Sequence, residues 1–160
     1  MPFNEKYMQA AISEAKKAAD KNECPIGAII VLNDKIIARA HNLRETKQLT
    51  ASHAEMLAIA KANKKLKSWR LEDCDLYVTL EPCPMCAGAI IQSRIKNVYF
   101  GAYDKKAGAA GSVCNLFKEN MFNHNANVTG SVLADTCSNL LSSFFSNLRK
   151  QKKQNSQKKD

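Results

Sequence analysis

A chain of 160 residues, of which 45% are hydrophobic and 24% charged, has the size and composition of one compact domain with its own core. Its apolar runs stay below the ~18 residues that a membrane span needs, and its polar start lacks the apolar stretch of a signal peptide. These features argue against membrane and secreted classes, and we expect a cytoplasmic protein with no membrane partner.

The charge is strongly basic, at +9 overall, and residues 148–160 carry six basic residues against one acidic residue. Such a balance suits a polyanionic partner such as RNA or DNA, although a merely solubilising tail remains an alternative. We predict a folded domain over residues 1–150 and a basic, disordered tail over residues 151–160.

Hydrophobic periodicity predicts alternating helices and strands. Asn33-Asp34 is typical of a two-residue hairpin turn between two strands, so the central sheet of this layered α/β domain should be mixed. Helices are predicted at 4–20, 53–66, 84–94 and 134–150, and strands at 28–32, 35–40, 75–80, 96–101 and 127–129. Residues 42–50 are predicted as a loop, and residues 102–126 as a loop with one short helix.

Two of the six cysteines, Cys83 and Cys86, form a Cys-x-x-Cys pair, and the other four are isolated in sequence. We predict Cys24, Cys74, Cys114 and Cys137 to be small core residues. Pro84 suits the first position of a helix, which makes Cys83 the N-cap and Cys86 the third helical residue. Two sulfur atoms at these positions can converge on one metal ion, and the helix dipole favours their thiolate forms.

A third ligand is available from His53, in the motif His53-Ala54-Glu55. Residues two apart on a helix body point about 200° apart, so His53 and Glu55 can share a site only at a helix start. Three protein ligands leave one zinc position for water, as in catalytic sites, and Glu55 could move protons beside that water.

Each motif alone has another interpretation. His53 could be a buried structural histidine and Glu55 a surface residue, while the cysteines could form a redox pair or half of a structural zinc site. Together, His-x-Glu followed by Pro-Cys-x-x-Cys is the signature of zinc deaminases. A non-catalytic RNA-binding module with structural zinc is disfavoured, because such a site gains nothing from a carboxylate that is not a ligand.

Longer sequence segments indicate which group of zinc deaminases the chain resembles. The segments 77–89, 93–95, 100–112, 122–124 and 133–137 resemble the bacterial tRNA adenosine deaminases, although Tyr103 stands where that family can carry an arginine. The resemblance implies a three-layer α/β/α sandwich with a mixed sheet of about five strands, similar to cytidine deaminase. It also implies a homodimer with one zinc ion per subunit, and hydrolysis of adenosine to inosine at the wobble position of a tRNA anticodon stem-loop.

The same resemblance implies substrate contacts for a further set of residues, which would meet the nucleotide or border the RNA groove: Asn42, Pro25, Ile26, Gly27, Asp104, Phe144 and Phe145. Core packing is the alternative for the phenylalanines, and capping of a turn is the alternative for Asp104. Basic residues expected to meet phosphates are Lys106, Arg149, Lys150, Lys152 and Lys153. A zinc deaminase of a free base, nucleoside or nucleotide remains the alternative function.

Overall fold

The computed structural model describes residues 3–158 and contains one five-stranded mixed sheet flanked by helices. The strands are β1 (Gly27–Leu32), β2 (Lys35–His41), β3 (Asp75–Leu80), β4 (Asn97–Ala102) and β5 (Asn127–Thr129). The helices are α1 (Glu5–Asp20), α2 (Arg44–Lys47), α3 (Ala54–Leu66), α4 (Pro84–Gln92) and α5 (Ala134–Gln157). Within the described chain, no helix is long and apolar enough to cross a membrane.

The strand order is β2-β1-β3-β4-β5, in which β1 runs antiparallel to β2 and β3 while β3, β4 and β5 are parallel. The hairpin forms as predicted, because Asn33 and Asp34 both adopt positive φ values, of 50° and 60°. The mixed sheet is therefore confirmed.

Side chains alternate between two cores on opposite faces of the sheet. Ala28 and Ile30 of β1 face a core shared with α3 and α4, whereas Ile29 and Val31 face a core that includes residues of α1 and α5. The three-layer α/β/α sandwich is thus confirmed. The parallel β3–α4–β4 crossover places the start of α4 just beyond the carboxyl end of β3.

Three expectations about local structure were wrong. The 42–50 loop contains the short helix α2, and the described segment 102–126 contains no helix. Helix α5 does not end at residue 150 but continues through Gln157, because its Arg, Lys and Gln residues favour a helix and neither Gly nor Pro interrupts them. The tail predicted as disordered is therefore helical over residues 151–157, and residues 159–160 lie outside the described part of the chain.

The isolated cysteines do not behave alike. Cys74 and Cys137 are buried as predicted, but Cys24 is only half-buried and Cys114 is exposed. Cys114 lies in the turn-rich segment after β4, where the backbone hydrogen bonds of tight turns replace a hydrophobic core.

Candidate metal centre and active-site cavity

Two helix starts carry the candidate metal ligands, as the motif spacing predicts. His53 is the N-cap of α3 and Cys83 is the N-cap of α4, and both have extended backbone conformations. Pro84 occupies the first turn of α4. Neither His53 nor Cys83 caps its own helix through its side chain, so both side chains are available to each other across the gap between the helices.

The ligand atoms of His53, Cys83 and Cys86 lie within 4.8 Å of one another. The Nδ1 atom of His53 is 3.6 Å from Sγ of Cys83 and 3.5 Å from Sγ of Cys86. Zinc–sulfur bonds of about 2.3 Å and zinc–nitrogen bonds of about 2.0–2.1 Å at tetrahedral angles imply N···S separations of about 3.6 Å. The donor set and its spacing therefore fit one zinc ion with three protein ligands.

The electrostatics of the cluster favour the thiolate form of one ligand, Cys83. Hydrogen bonding from the Cys86 thiol, followed by the contact with His53, lowers the pKa of Cys83 to about 4 in opposition to burial. Cys86 moves the other way, because it donates to Cys83 and is itself buried, so its pKa is raised. The contact with Cys83 raises the pKa of His53. The site thus stabilises a thiolate before any cation arrives.

Glu55 is a buried carboxyl in the first turn of α3, with only 4% of its surface exposed. Burial is the main cause that raises its pKa to about 7, and the neighbouring Cys83 charge acts in the same direction. Its side chain is hydrogen-bonded to Cys86, but it is not part of the three-residue ligand cluster. A carboxyl in this position can serve as an acid or a base rather than as a ligand.

A cavity of about 580 Å³ opens beside these four residues. His53, Glu55 and Cys83 line it, and so do the basic residues Arg44, Lys105 and Lys106. Its remaining walls combine apolar, neutral polar and acidic residues, namely Cys24, Ile26, Asn42, Ala54, Leu80, Glu81, Tyr103, Asp104, Ala107, Leu141 and Phe145. The size suits a small organic ligand such as a nucleobase with its sugar.

Four of the seven residues predicted to meet the substrate line this cavity: Ile26, Asn42, Asp104 and Phe145. Asn42 is buried, accepts a hydrogen bond from the N–H of Arg44 at 3.1 Å and donates one to the carbonyl oxygen of Cys24 at 3.4 Å. Asp104 also caps a turn, since its Oδ1 accepts from the N–H groups of Lys106 and Ala107. Both the turn-capping alternative and the cavity position therefore hold for Asp104.

Pro25, Gly27 and Phe144 are not among the residues that line the cavity. Pro25 and Gly27 are buried, and a Cβ atom at Gly27 would collide with the backbone of α1. Gly27 therefore allows β1 to pack against α1. Phe144 is half-buried on α5 and contacts the Phe145 ring edge-on, with centroids 5.5 Å apart.

Among the predicted phosphate contacts, Lys106 lines the cavity, while Arg149, Lys150, Lys152 and Lys153 are exposed on α5. Arg149 and Lys152 follow Phe145 at successive spacings of four and three residues. Such spacings keep side chains on one face of a helix. The face of α5 that meets the cavity at Phe145 thus continues as a basic surface.

Two buried carboxylates that organise the cavity were missed by sequence reasoning. Glu23 accepts hydrogen bonds from the N–H groups of Glu45 and Thr46, which fixes α2 and with it Arg44. Glu81 accepts from N–H groups of the 104–112 segment and is fully buried. Each partner lies more than 20 residues away, so no local sequence pattern identifies either hub.

Comparison with known proteins agrees with this site. A family profile of MafB19-like deaminases matches residues 3–149. The chain is 58% identical over 153 residues to the tRNA-specific adenosine deaminase of Bacillus subtilis (strain 168), covering 96% of this chain and 95% of that protein. A protein of the same name from Haemophilus influenzae is 45% identical over 152 residues, covering 94% and 88%.

Solved structures give the same grouping. A structure from a study of tRNA:A34 deaminases, which edit A to I at the wobble position of transfer RNA, has a TM-score of 0.83 at 38% identity. The match covers 86% of this chain and all of that one. A guanine deaminase from Bacillus subtilis is also 38% identical but has a TM-score of 0.62 and covers 69% and 71%. By sequence and fold, the chain belongs to the tRNA-specific adenosine deaminases of the MafB19-like deaminase family.

Proposed function

We propose that this protein hydrolyses adenosine to inosine at the wobble position of a tRNA anticodon. The observation that carries the proposal is 58% identity, over nearly the whole of both chains, to a tRNA-specific adenosine deaminase. The His53, Cys83 and Cys86 cluster beside the buried Glu55 supplies the matching chemistry.

In this reaction water adds to C6 of adenine, the bond from C6 to the exocyclic nitrogen breaks, and inosine and ammonia are released. His53, Cys83 and Cys86 would hold a zinc ion, and such an ion would lower the pKa of a water molecule towards neutrality. Glu55 takes a proton from the attacking water molecule and delivers protons to N1 of the base and to the leaving ammonia.

The position of Glu55 supports this role. The carboxyl lines the cavity one residue beyond the start of α3, so it faces the same space as the ligand side chains. Its burial keeps competing bulk water away, which strengthens its interactions with the reacting atoms. Glu55 remains a proposed proton carrier, whereas the fit of the three-ligand set to zinc rests on the spacings of the ligand atoms.

RNA recognition is proposed for the charged and aromatic rim of the cavity. Arg44, Lys105 and Lys106 offer cations at the mouth, and the exposed Arg149 and Lys152 extend this surface along α5. Bases in a single-stranded loop are easily splayed from their stack, so an anticodon loop can present one adenosine to the cavity. Asn42, Ile26, Asp104 and Phe145 are proposed to surround it.

Two further proposals accompany this function: assembly as a homodimer and a location in the cytoplasm. The homodimer follows from the resemblance to the family, whereas the cytoplasmic location is the expectation drawn above from the sequence. Gel filtration with light scattering would test the first, and a mass of one subunit for the active enzyme would refute it. Fractionation of cells that produce the tagged full chain would test the second.

The decisive assay incubates the zinc-loaded protein with an anticodon stem-loop that carries a wobble adenosine and quantifies inosine by nucleoside mass spectrometry. Free adenosine, cytidine and guanine are supplied in parallel, because a guanine deaminase is among the similar structures. Inosine in the stem-loop supports the proposal. Conversion of a free base or nucleoside with unchanged RNA would assign the protein to the rival class.

Two variants separate the roles within the site. Glu55→Gln should retain zinc and lose deamination, whereas His53→Ala should lose zinc. Full activity of zinc-loaded Glu55→Gln would refute the proton-carrier role. Unchanged zinc content in His53→Ala would refute the ligand set. Exposed Glu72 offers a matched control, since Glu72→Gln removes the same charge outside the ligand cluster and outside the cavity lining.

A further inference from the structure

Tyr103 is an aromatic side chain on the cavity wall that no step of the proposed reaction uses. It follows β4 directly, lines the cavity, and is 53% exposed. Exposed large hydrophobic side chains in the described chain number eight, and two of them, Tyr103 and Phe145, line the cavity. An exposed ring at the mouth of a binding cavity is available to a ligand.

The ring is held in place although it is exposed. The Phe100 ring meets it edge-on, with centroids 5.0 Å apart and an interplanar angle of 89°. Gly130 lies against both rings, since a Cβ atom there would approach Phe100 and come within 2.8 Å of the Tyr103 hydroxyl oxygen. Behind it, the N–H of Asp104 donates to Oε1 of Glu81 at 3.0 Å, which fixes the backbone.

A fixed ring loses little conformational freedom when a ligand stacks on it. Tyr103 also borders a second, smaller cavity of about 260 Å³, with Phe100 and Gly130 among its walls. The ring thus belongs to both cavities, whereas His53, Glu55 and Cys83 line the main cavity and not the second one. A base that stacks there belongs beside the target base rather than at the reacting position.

We infer that Tyr103 is a stacking platform for the base of a nucleotide that flanks the target adenosine, and that it contributes to the selection of RNA over free nucleosides. This inference rests on the proposed function. The neighbouring cations Lys105 and Lys106 also line the main cavity, where they can hold the phosphates on either side of the flanking nucleotide. A free base has no flanking nucleotide and gains nothing from such a ring.

The test compares Tyr103→Phe with Tyr103→Leu. Phenylalanine retains the ring and removes the hydroxyl, whereas leucine retains apolar bulk and removes the ring. Base–aromatic stacking is worth ~1–3 kcal/mol per base, so Tyr103→Leu should lower kcat/KM for the stem-loop about 5- to 150-fold. The effect should lie mainly in KM, and Tyr103→Phe should match the wild type. Zinc content and the unfolding midpoint establish that both variants are folded.

A second arm removes the stacking partner instead of the ring. Stem-loops with an abasic site on the 5′ or the 3′ side of the target are assayed with wild type and Tyr103→Leu. We expect the variant to equal the wild type on one of these two substrates, because the partner base is already gone. Equal kcat/KM of the leucine and phenylalanine variants, or an undiminished leucine effect on both abasic substrates, overturns the inference.

The outcome also separates the inference from the function on which it rests. Deamination of the intact stem-loop by the wild type, without a difference between the two variants, refutes the role of Tyr103 alone. A wild type that deaminates no stem-loop refutes the proposed function, and the inference about Tyr103 with it.

Discussion

Glu81 is predicted to hold the segment that carries Asp104, Lys105 and Lys106 against the cavity. Its Oε1 accepts from the N–H of Asp104 at 3.0 Å and from the hydroxyl of Ser112. Its Oε2 accepts from the N–H groups of Ala110 at 3.0 Å and Ser112 at 3.1 Å. Burial by itself would raise the pKa of Glu81, but these donors lower it overall, so the group is a carboxylate at neutral pH.

Glu81→Gln is the informative perturbation because it preserves shape and removes two acceptor positions. An amide nitrogen placed at Oε2 would face two N–H donors, whereas one placed at Oε1 faces the N–H of Asp104 and the Ser112 hydroxyl, which can turn to accept. The second orientation leaves one buried N–H without an acceptor. Removing a hydrogen bond to a charged group costs about 1.5–3 kcal/mol, and a stranded buried donor costs a similar amount.

We therefore expect Glu81→Gln to lower the free energy of unfolding by about 2–4 kcal/mol. Urea denaturation of the zinc-loaded protein measures the change, and hydrogen exchange should show faster opening of residues 104–112. Glu72→Gln is the matched control, because the Glu72 carboxylate is 58% exposed and pairs with Arg70 at 2.7 Å on the surface. We expect Glu72→Gln to lower the free energy of unfolding by less than about 1 kcal/mol. Equal effects of the two substitutions would refute the hub role of Glu81.

Three further predictions concern packing, pH and RNA. Gly27→Ala forces a Cβ atom into the backbone of α1 and should lower the free energy of unfolding by about 3 kcal/mol, as measured by heat or urea. Gly88→Ala is the control, because Gly88 lies in helix α4 and a Cβ atom there would have no neighbour within 4 Å. This substitution should be neutral or stabilising by up to about 1 kcal/mol. Burial raises the pKa of Glu14, but its hydrogen bonds to His41 and Lys17 outweigh burial and lower that pKa below its usual value of 4.5. Ionised Glu14 therefore stabilises the fold above that pH, and this contribution is lost in more acidic solution. The difference in unfolding free energy between wild type and Glu14→Gln should accordingly disappear in acid-unfolding curves. A persistent gap well below pH ~4 would contradict this linkage. Replacing Lys152 and Lys153 with alanine should reduce the slope of log affinity against log salt for the stem-loop by about 0.7–0.9 for each phosphate that the variant no longer neutralises. Replacing Lys64 and Lys65 with alanine is the control, because these residues lie at the opposite end of α3 from the metal ligands, and it should leave that slope unchanged.

Local chemistry explains why the metal centre could be predicted from sequence. Pro84 at a helix start and the left-handed Asn33-Asp34 turn depend on neighbouring residues alone, and both occur where predicted. The ligand cluster follows because each motif lies at a helix start, and the strands of the sheet bring the two starts together. The Cys83 and His53 positions were therefore accessible without any knowledge of distant contacts.

Other features depend on partners remote in sequence. In the sequence, nothing distinguishes Glu81 and Glu23 from other acidic residues. Their roles follow from the backbone N–H donors that the fold places around them. In the first part of the described segment 102–126, which contains no helix, the N–H groups of Asp104, Ala110 and Ser112 donate to Glu81 instead of to helical carbonyl oxygens. Helix α5 was predicted too short because its charged end lacks the apolar stripe by which its core-facing part was identified.

His53, Cys83, Cys86 and Glu55 are proposed to act together in the deamination of adenosine within RNA. The most direct measurement offers the zinc-loaded enzyme equal concentrations of a wobble-adenosine stem-loop and of free adenosine, cytidine and guanine, and follows all four by mass spectrometry. We predict inosine at the wobble position alone, and no reaction by Glu55→Gln that retains its zinc. Deaminated free base or nucleoside beside unmodified RNA would contradict the proposed activity on RNA.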